Sequence, residues 1–198
     1  GGRGDAVALR AAQGHAVTLA EVNPWHFGAA VTPLLSARRR GKRVRADQVL
    51  EFLRGARREC DLLLVEGAGG LLSPLGEGFA SRELIVALKA TPIVVCPNRL
   101  GAINATRLTV EALPAAVRRR THVVLVDRPH ADASARTNAA MIRELTGVKS
   151  VVELPWLGSI VNPAAVPLSP QVQRRLKQIV DALGEPRAES RRRQAARR

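Results

Sequence analysis

The stretch LLLVEGAGGLLSPL, residues 62–75, constrains the fold of this chain most strongly. Three leucines and a valine form a short continuous apolar run, which ends at Glu66. The next four residues are small: Gly67, Ala68, Gly69 and Gly70. An apolar run of this length is typical of a fully buried strand in a parallel sheet. We therefore expect a strand over 62–65 that places Glu66 at the carboxyl edge of the sheet, where ligands of open α/β sheets bind.

Glu66 and the small residues after it would suit a metal and an anion. Glycine lets the backbone approach a ligand closely, and its N–H group can face an anion. A carboxylate beside such amides would hold Mg²⁺. A buried strand followed by a flexible turn without a ligand explains the same pattern, and the local pattern leaves both readings open.

Apolar runs and helical patterns alternate after residue 47. The strand-like runs cover 92–96, 122–126 and 151–152, and the helical patterns cover 82–89, 103–117, a segment from Asp132 or Ser134, and 170–183. Pro114 is expected to end or kink the helical pattern over 103–117 near its last turn. Upstream, Asp5 and Asp47 are expected N-caps of two further helices. This alternation predicts a parallel sheet covered by helices on both faces.

Charge and composition limit the classes of partner. The net charge is +14, but it is concentrated in residues 38–45, 118–120 and 187–198, and the chain has no tyrosine and only 3% aromatic residues. Stacking platforms for single strands are therefore missing, and specific nucleic-acid binding is not expected. No apolar run approaches the roughly 20 residues of a membrane span. Two cysteines and no visible secretory signal favour a cytoplasmic protein.

The domain organisation follows from length and from the basic C-terminus. A chain of 198 residues is long enough for one domain with a sizeable core. We expect a single α/β domain over residues 1–183, incomplete at its N-terminus, and a basic, disordered tail over residues 184–198.

Four segments, taken together, point to a known family. EVNPWHFGAAVTPLLSAR, VEGAGGLLSPL, PIVVCPNRLGAINATRLTVEAL and ELPWLG occur in this order. Over roughly residues 5–157 the chain resembles ATP-dependent dethiobiotin synthases. VEGAGG alone is shared with other P-loop proteins, whereas its combination with RLGAINATRLT is much more specific. The resemblance implies a P-loop NTPase-like, doubly wound, mainly parallel sheet with helices on both faces.

The resemblance also implies a reaction. In that family 7,8-diaminononanoate is carboxylated by CO₂, the γ-phosphoryl group of ATP is transferred to the carbamate, and ring closure gives dethiobiotin, ADP and phosphate. Mg²⁺ and ATP are therefore the implied cofactor and co-substrate, and a homodimer with sites across the interface is the implied assembly. Positioning and charge neutralisation would supply most of the catalysis.

The implied Mg²⁺ ligands are Asp5 and Glu66. Gly67, Ala68 and Gly69 resemble the adjoining backbone that contacts the nucleotide. For Asp5, an ordinary N-cap is the alternative role.

The implied substrate site lies at a predicted helix start. Gly101, Ala102 and Asn104 resemble the turn that reaches the partner subunit's active site and holds the carboxylate end of the diamine. A helix N-terminus suits an anion on physical grounds. Capping of the helix by Asn104 is the alternative role.

The implied base site combines Asp127 with Pro155, Trp156 and Leu157. Asp127 stands where the family usually has an adenine-reading Asn. An Asn offers both a donor and an acceptor, whereas an ionised Asp only accepts, which puts the nucleotide preference in doubt. Pro155, Trp156 and Leu157 resemble the segment beside the adenine, although Trp156 could equally pack in the core.

The largest departure from the family is the absence of a G-x-x-x-x-G-K-[S/T] motif. We expect the first strand and the P-loop to precede Gly1, no catalytic residue of that motif in this chain, and little or no turnover by these residues alone. Unpaired sheet edges and poor solubility are expected as well. Two other readings remain: a related P-loop amide ligase or ATPase, and a non-catalytic basic binding protein.

Overall fold

The computed structural model describes residues 3–29, 31–158 and 168–183. These residues fall into two compact units, the first within residues 3–89 and the second over 90–158 and 168–183. A single domain over 1–183 stays a prediction, and the expected tail over 184–198 lies outside the described residues. No helix in the described part of the chain has both the length and the apolar character that crossing a bilayer requires.

The first unit is mainly helical. Its elements are α1 (Arg3–Ala12), α2 (Leu19–Val22), α3 (Pro33–Arg38), α4 (Ala46–Arg58), β1 (Pro74–Gly76), β2 (Phe79–Ala80) and α5 (Ser81–Ala87). α1 and α4 both start earlier than the expected caps suggest. Asp5 lies in the first turn of α1 and Asp47 in the first turn of α4, so neither is the N-cap residue. At these positions a carboxylate still interacts favourably with the helix dipole.

The core of the first unit gathers around Phe79. Its buried members come from α3, α4, α5, the hairpin and the segment between α3 and α4: Ala37, Val44, Val49, Leu53, Phe79 and Leu84. Trp25 packs edge-on against Phe52, with ring centroids 5.5 Å apart. β1 and β2 pair antiparallel, with Gly76 opposite Phe79. A Cβ at Gly76 would overlap the Phe79 ring and the Val44 carbonyl oxygen, so the hairpin requires glycine there.

The strand expected over 62–65 is not formed. This segment is irregular, and within the described residues no strand pairs with it. Leu62 is 50% exposed and Leu64 is 70% exposed, whereas Leu63 packs against the core of the first unit. A buried parallel strand needs hydrogen-bonding neighbours and cover on both faces. The apolar run meets neither condition here, so the prediction of a strand before Glu66 is wrong.

The second unit contains a three-stranded parallel sheet. The strands are β3 (Ile93–Pro97), β4 (His122–Val126) and β5 (Ser150–Leu154), in the order β3-β4-β5. The helices are α6 (Ala102–Glu111), α7 (Ala115–Arg118), α8 (Ala135–Thr146) and α9 (Pro170–Leu183). Pro114 lies between α6 and α7, which confirms the expected break.

Helices cover both faces of this sheet. On one face Cys96, Val123, Leu125 and Val151 pack with residues of α6 and α8, namely Ala102, Ala139 and Ile142. On the other face Val124 and Leu154 pack against Val172 of α9. Side chains alternate between the faces of a strand, so β4 contributes to both cores and is buried along almost its whole length. The expected α/β class, with a parallel sheet and helices on both faces, is confirmed.

Candidate functional site

A cavity of about 550 Å³ opens at the carboxyl edge of the parallel sheet. It is lined by Val95, Pro97, Arg99, Val126, Asp127, Arg128 and Trp156. These residues belong to the ends of β3 and β4 and to the segments that follow β3, β4 and β5. This edge is where open α/β sheets bind ligands. The cavity therefore joins Asp127 and Trp156, two of the residues that the sequence pointed to.

Asp127 is held by a buried asparagine. Asn98, 2% exposed, donates from Nδ2 to Asp127 Oδ1 at 2.9 Å and to the Ala135 carbonyl oxygen at 3.2 Å. Asn138, 1% exposed, donates to Asn98 Oδ1 at 2.9 Å. Because Asn138 occupies the oxygen of Asn98, the amide nitrogen of Asn98 must face Asp127. The Asp127 N–H donates to the Leu154 carbonyl oxygen at 2.9 Å, which fixes its backbone at the sheet edge.

A second hydrogen-bonded link joins the loops after β3 and β4. The Leu100 N–H donates to Asp132 Oδ2 at 2.9 Å, and the Ser134 N–H donates to Asp132 Oδ1 at 2.9 Å. The Ser134 hydroxyl and then the Leu100 N–H lower the pKa of Asp132 below its usual range. The loop after β4 thus holds the turn that leads into α6.

The expected substrate turn lies at the start of α6. Gly101 is the N-cap residue of α6 with φ of +91°, a conformation that favours glycine. No side chain caps this helix, and Asn104 lies in its first turn and is exposed. The alternative role of Asn104 as a helix cap is therefore wrong. The side chain of Ala102 lies in the core and its N–H donates to the Arg99 carbonyl oxygen at 3.0 Å, so both are already engaged.

The three residues after β5 differ in their surroundings. Trp156 is 47% exposed and lines the cavity, so it is not a core residue. Leu157 packs against the core formed with α9. Pro155 is half-buried and is not among the residues that line the cavity. Of the three, Trp156 alone presents a surface to the cavity.

The turn after Glu66 is tightly folded within the first unit. Gly69 has φ of +92°, and a Cβ there would lie 2.8 Å from Ser73 Oγ. The Gly70 N–H donates to Ser73 Oγ at 3.0 Å, so this amide is already used inside the turn. A Cβ at Gly67 would lie 2.5 Å from Ser81 Oγ. These glycines therefore have a packing role, whatever ligand their backbone contacts.

The two carboxylates expected to hold Mg²⁺ both belong to the first unit and are exposed. Asp5 lies in the first turn of α1, and Glu66 lies in the irregular segment before the glycine turn. Among the described residues, no group of three or more His, Cys, Asp and Glu side chains is arranged to hold a metal ion. Mg²⁺ in phosphate-transfer sites commonly takes one or two carboxylates together with substrate phosphates, so a pair of carboxylates would suffice.

Comparison with known proteins decides the family. The model of a family described as "AAA domain" matches residues 2–164. ATP-dependent dethiobiotin synthetase BioD of Anaeromyxobacter dehalogenans (strain 2CP-1 / ATCC BAA-258) is 37% identical over 164 residues, which cover 81% of this chain and 72% of the relative.

The chain belongs to the ATP-dependent dethiobiotin synthetase family.

Two further members of the dethiobiotin synthetase family differ in their sequence identity to this chain. The Saccharopolyspora erythraea protein is 42% identical over 137 residues, which cover 68% of this chain and 61% of that relative. The Bacillus subtilis (strain 168) protein is 32% identical over 145 residues, which cover 72% of this chain and 62% of that relative. Both are named ATP-dependent dethiobiotin synthetase BioD.

Sequence reasoning missed the support behind Asp127 in this dethiobiotin synthetase family member. Asn98, Asn138 and Asp132 were not predicted as site residues, nor were Arg99 and Arg128 at the cavity. One signal was available, because Asn98 follows the apolar run 92–96 after a single proline and Asp127 follows the run 122–126 directly. Parallel strands end at the same edge, so the two side chains could have been expected to meet.

Proposed function

We propose that this chain acts as a dethiobiotin synthetase. It carboxylates 7,8-diaminononanoate with CO₂, transfers the γ-phosphoryl group of ATP to the carbamate, and closes the ring to dethiobiotin, with release of ADP and phosphate. The observation that carries the proposal is the match to proteins of that name over 81% of the chain. The cavity at the carboxyl edge of the parallel sheet, with its fixed carboxylate and its tryptophan, supports a nucleotide site there.

The base of the nucleotide is assigned to the cavity of the second unit. Trp156 offers a partly exposed aromatic face, and Val95 and Val126 supply apolar walls. Arg99 and Arg128 provide positive charge beside the cavity, which favours an anionic ligand. Asp127 accepts hydrogen bonds from the base, and Asn98 holds it in position.

Mg²⁺ and the phosphates are assigned to the residues that the resemblance to the family implies. Asp5 and Glu66 would hold Mg²⁺, and the backbone of Gly67, Ala68 and Gly69 would lie beside the phosphates. Bound Mg²⁺ would neutralise charge on the transferred phosphoryl group. The protein's own contribution is to position the carboxylates, and Glu66 owes its exposure to the irregular segment that carries it.

The carboxylate end of the diamine is assigned to Gly101 and Asn104 at the start of α6. The helix dipole favours an anion there. We further propose a homodimer in which this turn reaches the partner's site. Leu100 in the turn is 78% exposed and Leu108, further along α6, is 62% exposed, so a second copy could cover both apolar side chains. A cytoplasmic location completes the proposal, in keeping with the free Cys60 and Cys96.

The missing G-x-x-x-x-G-K-[S/T] motif supports one further part of the proposal. Preorganised donors to a transferred phosphoryl group are worth several kcal/mol each, so the 198 residues alone should turn over at least about 100-fold more slowly than a protein that also has such a motif. The test compares dethiobiotin formation from 7,8-diaminononanoate, bicarbonate and Mg·ATP by this chain and by the chain extended by the reading frame upstream of Gly1.

The same assay tests Glu66. In the extended protein, Glu66→Gln should lower kcat/KM by about 100-fold. Glu59→Gln is the matched control, because Glu59 is an exposed glutamate at the end of α4. No dethiobiotin from the extended protein with either Mg·ATP or Mg·GTP would refute the proposed function. Full turnover by the 198 residues alone would refute only the expected loss of activity.

A further inference from the structure

The orientation of the Asp127 carboxylate is fixed from behind by two buried amides. Asn138 donates to Asn98 Oδ1, and Asn98 donates to Asp127 Oδ1, each at 2.9 Å. Both asparagines are at least nine-tenths buried, so water does not compete for these bonds. Rotation of the Asn98 amide would set two oxygens against each other at Asp127 and two amide NH₂ groups against each other at Asn138. Asp127 is therefore presented to the cavity in one orientation.

The presented group is a hydrogen-bond acceptor only. Among the described residues Asn98 is the side chain that donates to Asp127, and it uses one lone pair of Oδ1. The other lone pair of Oδ1 and those of Oδ2 remain to receive donors from the cavity, since a carboxylate offers about four acceptor sites. Trp156 lines the same cavity and offers a flat surface for a planar ring.

The nucleobases differ in how they can meet such a carboxylate. Guanine carries two adjacent donors, N1–H and the N2 amino group, and both can bond to the two oxygens of one carboxylate. Adenine carries one amino donor beside the N1 acceptor, and cytosine carries one beside the N3 acceptor. In both of these bases the ring nitrogen lone pair would face a carboxylate oxygen. A site built from polar partners discriminates strongly against a ligand that leaves those partners unpaired.

We infer that Asp127, held by Asn98, makes this cavity selective for guanine nucleotides over adenine nucleotides. The inference rests on the proposed function, because it takes the cavity to be the base site of the phosphoryl donor. It departs from the relatives, whose names specify ATP. A donor with a guanine base delivers the same γ-phosphoryl group to the same carbamate, so the reaction itself is unchanged.

The experiment measures binding of GMP and AMP to the full 198-residue chain by isothermal titration calorimetry. Monophosphates report on the base and need no contact to the γ-phosphate. GMP should bind at least about ten-fold more tightly than AMP. Asp127→Asn has nearly the same shape and offers a donor as well as an acceptor, so it should bring the ratio of the two dissociation constants to about one or invert it. Asp181→Asn is the matched control, since Asp181 lies on α9 in an ion pair with Lys177 and does not line the cavity.

Each outcome has one meaning. A GMP preference that disappears in Asp127→Asn and persists in Asp181→Asn supports the inference. AMP binding as tight as GMP binding, or a ratio unaffected by Asp127→Asn, overturns it and leaves the proposed nucleotide site in place. Binding of neither monophosphate overturns the inference and also removes the cavity from the proposed function.

Discussion

Replacing Asn98 with Asp tests the buried hydrogen-bond chain behind the cavity. The substitution keeps the size of the side chain but turns the Nδ2 donor into a carboxylate oxygen that faces Asp127 Oδ1 at 2.9 Å. Two unit charges at that distance repel by about 6 kcal/mol at an effective dielectric constant of about 20. The pair can avoid this repulsion by keeping one proton, because like charges raise the pKa of the introduced carboxyl.

Proton uptake limits the cost and makes it depend on pH. Holding a proton on a carboxyl group with an unfolded-state pKa of about 3.9 costs about 4 kcal/mol at pH 7 and between about 1 and 2 kcal/mol at pH 5. This is less than the repulsion, so it sets the expected loss of unfolding free energy. The folded state binds more protons than the unfolded state, and the stability of Asn98→Asp should therefore fall as the pH rises.

Urea denaturation at pH 5 and pH 7 measures this loss. Trp25 lies in the first unit, so a Trp25→Phe background lets the fluorescence of Trp156 report on the second unit. Asn104→Asp is the matched control, because Asn104 is exposed in the first turn of α6, where a negative charge is neutral or slightly stabilising. A loss below about 1 kcal/mol at pH 7, or the same loss at both pH values, would refute the reasoning.

Three further changes have defined outcomes. Burial lowers the pKa of His122, so the free energy of unfolding should fall below pH 6.5 by up to about 1.4 kcal/mol per pH unit. Urea midpoints measured from pH 7.5 to 5.5 should therefore decrease with falling pH, and His122→Gln should reduce this decrease. A wild-type midpoint that does not change with pH would contradict the prediction. Gly76→Ala should destabilise the protein by about 1–3 kcal/mol, because the new Cβ overlaps Phe79. Gly55→Ala, in open space on α4, should stabilise it by about 0.5–1 kcal/mol. Equal shifts in melting temperature for the two variants would contradict this prediction. Leu108→Lys should lower the dimer fraction in light scattering if Leu108 lies in the interface, and an unchanged mass would exclude that surface.

The structure of the second unit agrees closely with the predictions from the sequence, because the sequence signals there are local and mutually consistent. The apolar runs 92–96 and 122–126 correspond to β3 (Ile93–Pro97) and β4 (His122–Val126). The last helix begins at Pro170, as expected from the preference of proline for a first helical turn. β4 is covered on both faces by neighbours within the same unit, so its pattern and its environment agree, whereas Val95 of β3 is 64% exposed and this strand is not buried on both faces.

The first unit shows where a local pattern is insufficient. The apolar run 62–65 has the composition of a buried strand, but strand formation depends on partners that composition does not encode. The hairpin of β1 and β2 was missed, because strands of three and two residues give no periodic signal. At the candidate site, Asp127 and Trp156 were indicated, whereas the contact between Asn98 and Asn138 joins residues 40 positions apart. Such a pairing is a tertiary property.

The register of β3 against β4 sets a pattern in the main chain of β3. The His122 N–H donates to the Pro92 carbonyl oxygen, and the Asn98 N–H donates to the Val126 carbonyl oxygen. Alternate residues of a parallel strand turn their amides to opposite sides, so the amides of Val94 and Cys96 point toward β4 and that of Val95 points away from it. Deuterium uptake along this strand should consequently alternate residue by residue, with Val95 labelled well before either neighbour.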